Sequence, residues 1–296
     1  MGFPTTIYLP RWDGAARTRE LGRNPTEIAG STTLALIKDI LPLLEGKPTA
    51  SSFPSGGHRF TNLAPLTDGT LPNAKPDFYY GARSNQLEPA VRQALNDQII
   101  PSTQDHGCCP VAPNFFVAVQ GHCGAAPGAM RQACHEGALG ARALHSLQLF
   151  GHGKGNPGDC RPTYDNKAYT TMCTYHSGCL GIYATHPTRS RSHSNHQDSS
   201  TPTTTDYVMT QVGQWALLGD PETYQRGVTA YHNARDMTQE FRDRLIQQAN
   251  ARYTAGQDHQ FPGSPLEPRR RRRMSQAPGR GFCGRPSRAS RLCERE

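Results

Sequence analysis

The sequence is poor in apolar residues and has no long apolar run. Hydrophobic residues fill 35% of its 296 positions and the mean hydropathy is −0.66, both low for a compact domain. No segment approaches the roughly 18–20 apolar residues of a membrane helix. The N-terminal stretch MGFPTTIYLPRWDG lacks the charged and apolar regions of a secretory signal. We therefore expect neither a membrane span nor secretion.

Several catalytic motifs are also absent. The chain has no G-x-S-x-G nucleophile elbow and no glycine-rich loop that ends in GK[ST]. Its nine cysteines are an odd number and follow no secretory signal. Free thiols in a reducing compartment are therefore expected instead of a disulfide framework.

Positive charge is abundant, but it is concentrated at the C-terminus. The formal net charge is +8, and residues 257–296 hold ten arginines against four acids, a charge of +6 that leaves +2 for the remaining chain. Runs of arginine serve as nuclear import signals or contact phosphates, and a purely solvated tail is the alternative. The run consists of Arg269, Arg270, Arg271, Arg272 and Arg273. We expect nucleic acid and a nuclear import factor as its partners, and a nuclear or cytoplasmic location.

Apolar periodicity predicts an α/β fold, a small mixed sheet flanked by helices. Helices are expected at 34–41 (limited or kinked by Pro42), 88–99, 128–149, 209–218 and from Pro221 to about residue 253. Strands are expected at 78–80 and 114–119, followed by a hairpin of 168–175 and 179–185 around Ser177 and Gly178. The centre of helix 128–149 is rich in alanine and glycine, which favours close approach to the sheet.

Composition divides the chain into three parts. Residues 1–27 are expected to be loose, residues 28–253 to form the α/β domain, and residues 254–296 to form a disordered basic tail. Within the domain, residues 187–206 are low in apolar side chains and are expected to form a disordered insert. The sequence gives no indication of the oligomeric state.

A set of segments in the same order resembles a family of fungal proteins with no assigned activity. The segments are LAPLTDGTL, KPDFYYGA, IIPSTQ with APNFF, RQACHEGALGARALHSLQ, YDNKAYT and GDPETYQRGVTAYHNARD, which span most of residues 60–240. This resemblance implies a fungal origin and no particular chemistry.

A second resemblance concerns the strands KPDFYYGA and PNFFVAVQG. With the surrounding helices they look like the PD-(D/E)xK, or restriction-endonuclease-like, nuclease superfamily. There an aspartate and a later acid hold Mg²⁺, and a lysine two positions after that acid acts on the attacking water. By position Asp77 matches the first acid, while Ala118 and Gln120 fall where the second acid and the lysine belong. The resemblance thus implies a nuclease-like fold without competent chemistry.

Two alternatives stay open. An active Mg²⁺-dependent nuclease would need a displaced acid, for which Glu136 on the following helix is the candidate. A zinc-stabilised binding module would draw on cysteine and histidine pairs, although their spacing differs from the usual C-x₂₋₄-C pattern. These pairs are Cys108-Cys109, His122-Cys123, Cys134-His135 and the set Cys173, His176 and Cys179. The leading interpretation is a protein that associates with nucleic acid or other partners, needs no cofactor and has no nuclease activity.

Overall fold

Six strands and five α-helices make up the described part of the chain. A computed structural model describes residues 33–46, 53–103, 109–120, 126–152, 164–190 and 205–258, all within one compact unit. The helices are α1 (Thr33–Glu45), α2 (Pro89–Ala94), α3 (Asn96–Ile99), α4 (Ala126–Leu149) and α5 (Pro221–Asp258). The strands are β1 (Phe53–Ser55), β2 (Phe78–Ala82), β3 (Val111–Gln120), β4 (Thr170–His176), β5 (Cys179–Arg189) and β6 (Thr205–Ala216).

The strands form one mixed sheet in sequence order. Neighbouring strands are antiparallel except β3 and β4, which are parallel. A parallel pair needs a crossover connection, and α4 supplies it on one face of the sheet. The predicted α/β fold, a mixed sheet with flanking helices, is confirmed.

The two faces of the sheet are covered by different helices. Phe115, Val117 and Val119 of β3 pack in a cluster with residues of α1 and α5. Phe116, which points the other way, packs in a cluster with Ala133 of α4. Both faces of β3 are therefore buried, which explains its continuous apolar sequence.

The face under α1 and α5 is held by a buried carboxylate. Glu45 ends α1 and accepts hydrogen bonds from the hydroxyls of Tyr80 in β2 and Tyr231 in α5. Nη1 of Arg235 lies 2.9 Å from Oε2 of the same carboxylate. Burial first, and the Glu45 charge second, raise the pKa of both tyrosines, so both hydroxyls remain donors. One carboxylate thus joins α1, the sheet and α5.

A second polar contact fixes α5 further along the sheet. Nη1 of Arg242 donates to Oδ1 of Asn114 over 2.9 Å, and both side chains are buried. Asn114 also donates to the carbonyl of Thr238 in α5, again over 2.9 Å. Burial lowers the pKa of Arg242 to about 10, so the guanidinium remains charged at neutral pH. The bonds compensate in part for the burial of this charge.

Several local predictions are confirmed. The hairpin joins β4 to β5, and Ser177 and Gly178 at its turn have φ values of 49° and 81°, as a two-residue turn requires. Pro89 opens α2, Pro221 opens α5, and α4 covers the predicted helix 128–149. Gly137 and Gly140 of α4 face the sheet: a Cβ on Gly137 would lie 2.6 Å from Thr185, and one on Gly140 would lie 2.8 Å from Phe116.

The predicted helix 209–218 is wrong, because these residues belong to β6 and the loop that follows it. Tyr207, Met209, Gly213 and Trp215 are half-buried among exposed neighbours, the alternation of a strand. A register shift opposite Ile182 and Tyr183 interrupts the alternation, which hides the pattern in the sequence.

Other boundaries also need correction. The insert predicted at 187–206 is too wide, because Pro187–Arg189 complete β5 and Thr205 and Asp206 open β6; residues 191–204 lie outside the described residues. The predicted helix 88–99 is divided into α2 and α3 at Leu95. α1 continues three residues past Pro42. Of the described helices, none is both long enough and apolar enough to cross a membrane.

We predict that Glu45→Ala lowers the free energy of unfolding by about 3–5 kcal/mol. It leaves the buried Arg235 charge with Asp236 alone and deprives the hydroxyls of Tyr80 and Tyr231 of their acceptor. Urea unfolding followed by circular dichroism measures this loss. The control is Glu240→Ala on the exposed side of α5, which should change stability by no more than about 0.5 kcal/mol. A loss below about 1 kcal/mol for Glu45→Ala would show that the carboxylate is not the link between the helices.

Candidate functional site

The three positions suggested by the nuclease resemblance lie on the same face of the sheet. Phe116 points towards α4, and side chains alternate along a strand, so Ala118 and Gln120 lie on the α4 face as well. The register pairs Phe78 with Val117, which brings Asp77, directly before β2, level with Ala118. Asp77, Ala118 and Gln120 therefore lie on one face of the sheet.

Asp77 is held against the end of β3 by its own carboxylate. Its Oδ2 accepts a hydrogen bond from the main-chain N–H of Val119 over 2.9 Å. Gly56 lies close behind it: a Cβ there would come within 2.2 Å of the Asp77 carbonyl oxygen, so no side chain fits. Burial raises the pKa of Asp77, while bonds from Val119 and Gln132 and the charge of Lys75 act in the opposite direction. The position of this half-buried acid is thus fixed by a hydrogen bond. Its pKa is raised by burial and lowered by its hydrogen bonds and by the Lys75 charge.

Glu136 on α4 is the second acid of the site. Its side chain is only 1% exposed, and Oε1 accepts a hydrogen bond of 3.0 Å from Nε2 of Gln132. Oε2 has no hydrogen-bond partner among the described residues. Burial is the main cause that raises the pKa of Glu136 to about 8, and the charge of Asp77 adds to it. Glu136 is therefore predominantly neutral at pH 7.

The close packing of α4 puts this acid in the interior. Gly137 and Gly140 let the helix approach β3, β4 and β5 more closely than any side chain would allow. Glu136 directly precedes Gly137, so the close approach of the helix at Gly137 also buries the Glu136 side chain. The neighbours of the helix on this face include the apolar side chains of Phe116 and Met172 and the buried hydroxyls of Thr170 and Thr185.

The structure brings together some of the predicted site residues. The Gln132 amide interacts with both Asp77 and Glu136, and the charge of Asp77 raises the pKa of Glu136. Ala118 is fully buried and offers only a methyl group, and Gln120 is half-buried and neutral. No cation thus stands at the position where the resemblance expects the lysine.

Two further residues of the site were missed by the sequence analysis. Gln132 carries two amide N–H groups and interacts with both acids. It lies four residues before Glu136, a helical spacing that would have identified it as a neighbour. Lys75 is exposed, and its charge lowers the pKa of Asp77. The sequence shows Lys75 two residues before Asp77, and it is the cation whose charge reaches that acid.

Comparisons with protein-family models, with curated proteins and with solved structures give no match for this chain. The resemblances to the fungal family and to the nuclease superfamily therefore remain predictions. Any function has to be inferred from the residues of the site and from the distribution of charge.

The donor set is a poor fit for Mg²⁺ at neutral pH. This ion prefers six oxygen ligands in octahedral geometry and gives up its water reluctantly. The site offers the Asp77 carboxylate, a Glu136 carboxyl that is mostly protonated, and the amide oxygen of Gln120. Ala118 contributes nothing. Only above pH 8 would both acids be ionised together.

The cysteines and histidines do not assemble into a zinc site in the described ranges. No group of three metal-ligating side chains occurs in them. Cys173 is fully buried in the cluster under α1 and α5, where burial raises the pKa of its thiol, and Cys134 is exposed. Cys108, His122 and Cys123 lie outside the described residues. The described residues thus contain no set of ligands for the zinc-stabilised module.

The charge of the described residues differs from that of the whole chain. They contain 14 lysines and arginines against 15 aspartates and glutamates, a formal charge of −1, which leaves +9 for the rest of the sequence. The predicted nucleic-acid-binding residues Arg269 to Arg273 lie outside the described ranges. Most of the positive charge of the chain therefore belongs to residues outside the described ranges.

We predict that Glu136→Gln stabilises the protein, and more so as the pH rises. An acid whose pKa is raised by folding imposes no penalty below its unfolded value of 4.5, and the penalty grows until the folded value of about 8. The free energy of unfolding should rise by up to about 1 kcal/mol at pH 5 and by up to about 4 kcal/mol near pH 8. Urea unfolding at both pH values measures it.

The matched control is Glu240→Gln, an exposed glutamate of α5, which should show no such trend. A Glu136→Gln gain that is equal at the two pH values would mean that Glu136 is already ionised in the folded protein.

Proposed function

We propose that this protein associates with nucleic acid without cutting it, on a nuclease-like fold whose catalytic site is incomplete. The observation that supports this most directly is the pair of side chains beside Asp77. Ala118 and Gln120 share its face of the sheet but provide neither a carboxylate nor a cation. A metal-dependent nuclease uses both kinds of group, carboxylates to hold the metal ion and a cation to stabilise developing negative charge.

The state of the acid pair agrees with a non-catalytic role. At pH 7 Glu136 is mostly neutral, is 1% exposed and receives a hydrogen bond from Gln132. A polyanionic substrate would have to reach past apolar side chains to touch it. Asp77 spends one oxygen on the N–H of Val119, a bond that joins the start of β2 to the end of β3. Both acids thus have internal partners that do not depend on a substrate.

Binding is assigned to the arginine-rich C-terminal sequence. The described residues have a formal charge of −1, so they offer no net attraction for phosphates, whereas the rest of the chain carries +9. Each arginine that neutralises a phosphate releases condensed counterions, which gives a strong dependence of affinity on salt. Nuclear or cytoplasmic nucleic acid is accordingly the proposed partner.

We predict that replacing Arg269 to Arg273 with glutamine in the full-length chain weakens binding to duplex DNA. If each arginine contacts one phosphate, the slope of log K against log salt should fall by about 4–5. Fluorescence anisotropy over a salt series measures the slope.

The matched control removes the same number of exposed cations from the fold. Its substitutions to glutamine are at Lys38, Arg59, Lys167, Arg226 and Arg244. Equal losses in the two variants would mean that only total charge matters and that the arginine run has no specific role.

A second candidate function is Mg²⁺- or Mn²⁺-dependent cleavage, and one observation favours it. Within the described part of the chain, Oε2 of Glu136 has no hydrogen-bond partner, and the pKa of this carboxyl is raised by the charge of Asp77 as well as by burial. Because burial holds the pKa of Glu136 near 8, this candidate predicts activity that increases from about pH 6 to about pH 9. The proposed function predicts no cleavage at either pH.

Labelled DNA and RNA are incubated with the protein and each metal ion at both pH values. The informative variants are Asp77→Asn, which can still accept the Val119 bond, and Glu136→Gln; Glu240→Gln is the control. Cleavage that disappears in the first two variants and persists in the third would overturn the non-catalytic proposal.

A further inference from the structure

The two edges of the sheet differ in their capacity to pair with another strand. β1 has three residues, and Pro54 at its centre lacks an N–H group, so it is a poor edge for pairing. β6 has twelve residues and, among the described strands, pairs only with β5. It contains no proline, lysine or arginine, the residues that usually block an edge, and none of its residues is buried.

Local features limit the part of β6 that is regular and open. At its start the Tyr164 hydroxyl lies 3.0 Å from Oγ1 of Thr205. At its other end the register shift opposite Ile182 and Tyr183 leaves Val212 as an extra residue, and such bulges twist an edge away from partners. The segment between these points is Asp206–Thr210, and its central residue, Val208, is 41% exposed.

We propose that Asp206–Thr210 pairs in antiparallel fashion with the same segment of a second copy of this chain. The two-fold axis passes through Val208, so the valine of one copy lies opposite the valine of the other. An isologous contact requires a surface that is complementary to itself, and this segment meets that condition. The result is a continuous sheet across two copies.

The side chains fix this register. With the axis at Val208, Asp206 lies opposite Thr210, whose hydroxyl is a hydrogen-bond donor, and Tyr207 lies opposite Met209. An axis at Asp206 would place two carboxylates directly opposite each other, which is destabilising. An axis at Thr210 would carry the pairing into the bulge at Val212. Of the centres at Asp206, Val208 and Thr210, charge and regularity thus favour Val208.

A second copy is a better match than an unrelated strand for a simple reason. The only charged residue in the segment is Asp206. In the dimer, the Asp206 of each copy lies opposite the neutral hydroxyl of Thr210 in the other copy. The exposed apolar surface is centred on one residue, so it is covered most completely when the partner presents its own apolar residue at the axis. A second copy covers Val208 with its own Val208, and no other strand or helix has to take part.

The test uses the full-length chain and measures its mass by sedimentation velocity over a concentration series. The dimer has twice the chain mass of 32.5 kDa. Val208→Lys, which opposes two positive charges at the axis, should raise the dimer dissociation constant at least about tenfold. Met237→Lys, at an exposed apolar residue of α5, should leave it unchanged. Circular dichroism checks that both variants are folded.

A second variant tests the geometry independently. Directly opposed residues of an antiparallel pair have Cβ atoms about 4.5–5.5 Å apart, close enough for a disulfide after small adjustment. Val208→Cys should therefore give a cross-linked dimer on mild oxidation, above the background of wild type and of Met237→Cys.

Two results would overturn the proposed dimer. A chain that is monomeric at every concentration overturns the proposal. In such a monomer, slow hydrogen exchange at the β6 amides that point away from β5 would show that another segment of the chain covers the edge. A dimer that survives Val208→Lys and does not cross-link through Val208→Cys is formed by a different surface and overturns it equally.

Discussion

The close packing of α4 against the sheet is the constraint on which the candidate site depends. Gly137 and Gly140 let the helix backbone approach Thr185 and Phe116 more closely than any side chain would permit. A helix this close carries its sheet-facing polar residues into the apolar layer. Glu136 is therefore buried, and its pKa is raised first by burial and further by the charge of Asp77. Without the glycines the helix would lie farther out, and the two acids would be separated.

The acids on the two faces of the sheet differ in whether their charge is balanced by a partner. Under α1 and α5, Glu45 has an arginine and two tyrosines as partners, so its charge is balanced and it serves as a structural link. Under α4, Glu136 has one amide donor and a neighbouring acid. The first arrangement is sufficiently explained by stability. The second costs stability, and such sites are more often associated with function than with packing.

Elements with local signals were predictable from the sequence, and those with non-local causes were not. Pro221, Ser177 and Gly178, and the apolar run of β3, each specify a local conformation, and their elements were found. β6 was misread as a helix because its bulge breaks the alternation. At the site, the shared face of Asp77 and Ala118 follows from strand alternation and register. The electrostatic interaction of Asp77 with Glu136 depends on how closely a distant helix packs, which no spacing in the sequence reports.

The cost of the acid pair constrains the interpretation of the site. A pKa of about 8 for Glu136 corresponds to a penalty of at most about 3 kcal/mol at pH 7, a sizeable part of the roughly 5–15 kcal/mol that stabilises a domain. A glutamine at this position would keep the bond from Gln132 without that penalty. Packing alone therefore does not account for the carboxyl. Because Ala118 and Gln120 leave it without the remaining groups of a hydrolytic site, its role has to be one that two acids and an amide can perform. Such a set can hold a proton between carboxyls, and above pH 8 it can attract a cation, but it cannot by itself stabilise the negative charge that develops on a phosphate.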